Sequence, residues 1–168
     1  MEDWQLQRDA HKTRGDQAFR SGGFKTAIDQ YTKAISLDPD FVVLYSNRSA
    51  SYLSNGESSK ALKDARKCVE LASTFIKGHS RLAAALLALK RFEQAQDVYQ
   101  YVLEEDPENA AAKNGLEVCV KEMSKRRTLE QQRQHQEENE MQQLQKRTSA
   151  DKSEPEEDRK STRLNSSH

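Results

Sequence analysis

Lys12 and Asp16 stand four residues apart in the stretch KTRGD, and Lys77 and Arg81 stand four apart in IKGHSR. On a helix, side chains at i and i+4 share one face. Asn47, inside LYSNRSASY, precedes Arg81 by 34 residues. Three cations and an amide suit the binding of carboxylates. A planar guanidinium grips a carboxylate through two parallel hydrogen bonds, while ammonium groups act as adjustable point charges. The Asn47 amide donates to a carboxylate or a peptide carbonyl without adding charge. A peptide C-terminus ending in Asp presents two carboxylates close together and would use all of these groups.

Taken singly, each pair is ordinary. Lys12 with Asp16 is a surface ion pair worth tenths of a kcal/mol, in the poorer Lys-before-acid order. Asp16 would also repel an anionic ligand by about 1–3 kcal/mol, unless it turns to Lys12 or a water or ion bridges the two. The residues become a site only if the fold brings them to one surface.

The elements that would do so repeat. Ala27, Ala61 and Ala95 recur at a spacing of 34, as do Tyr31, Ala65 and Tyr99, and Pro39, Ser73 and Pro107. Gly15, Ser49 and Ala83 share the phase and are all small. The unit reads as two amphipathic helices. The first ends near SGGF, SNGE or ALKRF and the second near LDPD, LAST or EDPE. Small residues let the helices approach closely, the two tyrosines fill the space beside them, and proline stops the second helix. Within the first helix of each unit, one stripe carries Lys12 and Asp16, then Asn47, then Lys77 and Arg81. Phe19 falls on the same side and can line a pocket for an apolar ligand residue.

This pattern resembles the tetratricopeptide repeat, in three copies over about 8–41, 42–75 and 76–109. The second copy departs most, with Ala65 and Ser73 where a bulky residue and proline are expected. The family's tryptophan is replaced by His11, Tyr45 and His79, which read as packing residues. The resemblance implies an all-α, right-handed solenoid over residues 1–123, with NAAAKNGLEVCVKEM (109–123) as a capping helix. Ala112, Leu116, Cys119, Val120 and Met123 would form its covering face. Residues 124–147 read as a polar, Gln-rich helical extension and 148–168 as a disordered tail, whose STRLNSSH end reads as a non-native scar.

LYSNRSASY and IKGHSRLAAALLALKRFEQA are similar to the repeats of chaperone adaptors of the Hsp-organising type and of the repeat-bearing protein phosphatase. There, a dicarboxylate clamp of Lys, Asn, Asn, Lys and Arg holds chaperone tails ending Glu-Glu-Val-Asp. The likeness implies that Lys12, Asn47, Lys77 and Arg81 bind peptide carboxylates, with Asp16 standing where the clamp has its other Asn. The implied function is a co-chaperone adaptor for the tails of seventy- or ninety-kilodalton heat-shock chaperones. Two alternatives are a scaffold whose clamp is impaired by Asp16, and the targeting domain of a larger enzyme.

Other functions find little support. Lys+Arg and Asp+Glu are 27 each, so no global field recruits nucleic acid or an anionic membrane. There is no membrane-length apolar run, no secretory leader, no glycine-rich phosphate loop and no catalytic constellation. Cys68 and Cys119 read as reduced, buried thiols rather than metal ligands. The expectation is a cytoplasmic monomer that is not an enzyme and uses neither metal nor cofactor.

Overall fold

A computed structural model of the protein describes residues 2–151, which are helical apart from short turns. Three helix pairs follow one another: α1 (Asp3–Arg20) with α2 (Phe24–Leu37), α3 (Val42–Ser54) with α4 (Ser58–Leu71), and α5 (Ile76–Ala88) with α6 (Phe92–Glu105). A long α7 (Ala110–Asp151) follows. Through α6 each helix packs on the next, and α3 also touches α1 and α5. The first helices of the three pairs therefore lie side by side.

The 34-residue period is visible in the turns. α1, α3 and α5 each end with the same pair of hydrogen bonds. Gly23 N–H donates to the Ala18 carbonyl, Glu57 to Tyr52 and Arg91 to Leu86, at 2.8–2.9 Å, while Gly22, Gly56 and Lys90 donate to Phe19, Leu53 and Leu87. This is the Schellman end, which needs a left-handed residue just past the helix. Gly22 and Gly56 supply it with φ of 77° and 80°, and Lys90 adopts 58° without being glycine.

At two glycines an aromatic ring leaves no room for a side chain. A Cβ on Gly15 would lie 2.7 Å from the Tyr31 ring, and one on Gly115 would lie 2.2 Å from the Tyr99 ring. Ala27, Ala34, Ala61, Ala65, Ala83 and Ala95 are fully buried between helices. In the second pair Ser49 Oγ donates to the Ala61 carbonyl at 2.9 Å. The positions of the missing tryptophan do pack: Tyr45 donates to the Pro39 carbonyl, and the His79 ring lies 4.6 Å from that of Tyr101. His11 Nδ1 pairs with Gln30 Oε1 at 2.9 Å. Among the described residues no three His, Cys, Asp or Glu side chains converge to hold a metal.

The molecule divides into two units, residues 1–124 and the remainder. In the first, α7 starts at an Asn109 cap whose Oδ1 accepts from the Ala112 N–H at 3.0 Å. Ala112 and Cys119 are buried, and Leu116 packs on the same cluster of apolar residues. Val120, expected on this covering face, is instead 47% exposed. It sits one residue, or about 100°, round from Cys119 and falls off the stripe. In the second unit every described side chain is exposed, including Leu129, Met141 and Leu144. The helix there runs to Asp151 rather than 147. Thr148 and Ser149 bond back to the carbonyls of Gln145 and Lys146, and no proline intervenes before Pro155. Residues 152–168, the rest of the expected disordered tail, lie outside the described residues.

Candidate functional site

A concave pocket of about 360 Å³ opens on the face shared by α1, α3 and α5. Its walls include Lys12, Asp16, Phe19, Asn47, Lys77 and Arg81, all six residues singled out from the sequence. Each helix contributes along one stripe: Lys12, Asp16, Phe19 and Arg20 from α1, Val43, Asn47 and Ala50 from α3, and Lys77 and Arg81 from α5. Counted from the first residue of each stripe, these spacings of four, seven and eight are those of a single helical face. The equal length of the turns keeps the three stripes in register.

Asp16 is the hub of the polar contacts. Its Oδ2 accepts from Lys12 Nζ at 2.7 Å. Its Oδ1 accepts from the Tyr31 hydroxyl at 2.6 Å and from Asn47 Nδ2 at 3.1 Å. Burial pushes the Asp16 carboxyl up, but donation from Lys12, Tyr31 and Asn47 outweighs it and holds the group below its ordinary value. Tyr31 moves the other way, raised by its own burial and by the neighbouring carboxylate. Asp16 thus stays ionised at neutral pH, anchored to three donors.

Arg81 is its opposite. Its Nε is buried and has no hydrogen-bond partner, and burial lowers the guanidinium below its ordinary value. Neither Arg81 nor Lys77, one turn earlier, makes an ion pair among the described residues. A guanidinium in a recess without a counter-charge is costly, because desolvation is not offset. An incoming carboxylate would offset it. The pocket therefore has a self-neutralised end at Lys12 and Asp16, and an uncompensated cationic end at Lys77 and Arg81.

Four lining residues were not singled out from the sequence. Arg20, Val43 and Ala50 follow from extending the stripes by one turn. Tyr31 comes from α2 and read only as a packing residue. The signal lay in Gly15: the ring rests on that glycine, which leaves the hydroxyl beside the next residue, Asp16.

Models of the tetratricopeptide repeat match residues 76–109 and 30–63. The second match straddles two helix pairs, joining α2 to α3. The structure of the first TPR of Spaghetti (RPAP3), bound to the HSP90 peptide SRMEEVD, is 33% identical, with a TM-score of 0.68 over 71% of this chain and 94% of that one. The chain belongs to the tetratricopeptide-repeat family. Its repeats are also 44% identical over 117 residues to Hsp70-Hsp90 organizing protein 2 of Arabidopsis thaliana, covering 70% of this chain and 20% of the relative. The heat shock protein sti1 homolog of Schizosaccharomyces pombe is 47% identical over 105 residues, 62% of this chain and 18% of the relative. The tetratricopeptide chain described here thus spans about a fifth of the length of these curated relatives.

Proposed function

We propose that this tetratricopeptide domain is a non-enzymatic co-chaperone or adaptor module. Its pocket holds the acidic C-terminal tail of a seventy- or ninety-kilodalton heat-shock chaperone. The peptide lies extended in the groove, with its terminal carboxylates at Lys12, Asn47, Lys77 and Arg81 and an apolar residue near Phe19. The observation that carries the reading is the unpartnered Arg81 guanidinium beside Lys77, a site built for an anion from outside the chain. The relatives that organise Hsp70 and Hsp90, and the RPAP3 domain with its HSP90 peptide, support the same reading. The module acts in the cytoplasm; among the described residues no helix is long and apolar enough to cross a membrane.

Titration calorimetry of the full chain with SRMEEVD tests the proposal. Arg81→Ala should weaken binding by about 2 kcal/mol or more, roughly thirtyfold, because it removes one partner of a desolvated charge pair. Absence of binding at low salt would exclude it. A second reading, a scaffold for a different protein segment, is favoured only by the engagement of Lys12 and Asn47 with Asp16. It is what that absence of binding would leave standing.

A further inference from the structure

Resting on the reading that the pocket holds a peptide C-terminus, we infer that Asp16 occupies one half of its anion site. The pocket then prefers a terminal residue with one carboxylate and one neutral hydrogen-bond donor over one with two carboxylates. Two of the four groups assigned to the ligand, Lys12 and Asn47, already donate to Asp16. The Tyr31 hydroxyl donates to the same oxygen as Asn47 and fixes the carboxylate from behind. Its ring is backed by Gly15, where even a Cβ would lie 2.7 Å away.

The charges follow from this. Lys12 and Asp16 cancel, which leaves the partly buried Arg81 and the exposed Lys77 and Arg20 as the lining cations that make no ion pair among the described residues. One ligand carboxylate pairs with Lys77 and Arg81. A second that enters the corner of Lys12 and Asn47, the other groups assigned to the ligand, must either lie against Asp16 or strip Lys12 and Asn47 from it, stranding a half-buried carboxylate on Tyr31 alone. Both are unfavourable. A carboxylate has roughly four lone-pair sites, and Asp16 uses three. The site left over accepts from an amide N–H of the ligand without any charge penalty. Asp16 thereby sets specificity by repulsion as much as attraction.

Three peptides tested on the full chain decide the matter: SRMEEVD, SRMEEVN, and SRMEEVD with an amidated C-terminus. Each amide version removes one of the two terminal carboxylates, so the test does not depend on which carboxylate faces Asp16. For the wild type, at least one amide version should bind more tightly than SRMEEVD, by about threefold or more. For Asp16→Asn, both should lose roughly tenfold or more relative to SRMEEVD. Asp16→Ala provides a second variant and should shift the ranking in the same direction. An identical ranking of the three peptides by all three proteins, with binding still weakened by Arg81→Ala, overturns the inference and spares the functional reading. Failure of every peptide to bind in an Arg81-dependent way removes both.

Discussion

Two arginines of this domain have opposite surroundings. Arg48 grips both oxygens of Asp64 through Nε and Nη2 at 2.7 and 2.8 Å, and Asp64 is 4% exposed. Arg81 makes no ion pair among the described residues and leaves its buried Nε without a hydrogen-bond partner. Removing one partner of a buried, bidentate pair leaves a stranded charge and costs about 3–5 kcal/mol, so Arg48→Met should lower the urea midpoint steeply. Arg81→Met removes a charge that nothing compensates and should leave the midpoint unchanged or raise it. Unfolding curves of the two variants check this, and equal losses would show that Arg81 has a structural partner after all. At this scale the sequence was informative about residue type and face, since all six residues singled out reach one pocket. Of the pairings at the site it offered only Lys12 with Asp16. That Asp16 would take Asn47 and Tyr31 as well as Lys12 depends on contacts of α1 with α3 and α2, which no stripe along a single helix contains.

The turn between the helices of each pair is the element that sets the register. Its left-handed residue is Gly22, Gly56 and then Lys90, at intervals of 34. A non-glycine residue pays about 1–2 kcal/mol for this conformation, and part of any relief is lost to the freer unfolded chain. Lys90→Gly should therefore stabilise the domain by about 1 kcal/mol, and Gly56→Ala should destabilise it by a similar amount. Thermal unfolding of both variants provides the check. The first two turns were legible because SGGF and SNGE carry glycine where the helix stops. The third, ALKRF, lacks that mark, yet it closes with the same hydrogen bonds because the packing of α5 on α6 dictates its path. The covering face of α7 was legible apart from Val120. Placing that residue needs the direction from which the underlying helix approaches, which apolar spacing alone does not carry.

Across residues 1–124 many of the buried apolar residues fall into two clusters, one joining α1, α2 and the start of α3, the other running from α3 to α7. The stacking of the helix pairs was the most legible feature of all, since the recurrence of Ala27, Ala61 and Ala95 prescribes equivalent crossings before any contact is known. It also bears on how the stack comes apart. The two free cysteines occupy different levels: Cys68 sits mid-stack, its Sγ against Gly78, and Cys119 lies on α7. Burial pushes the Cys68 thiol up to about 11 and raises that of Cys119 as well. Alkylating reagents attack the thiolate, so both should be slow to react until their surroundings open. Repeats hold only their neighbours, and the end of an array frays first. Cys119 should therefore be labelled faster than Cys68 in native buffer, with mass spectrometry timing each site. Equal rates would mean that the stack opens as a single unit. The two thiols are built-in clocks, one for the middle of the array and one for its end.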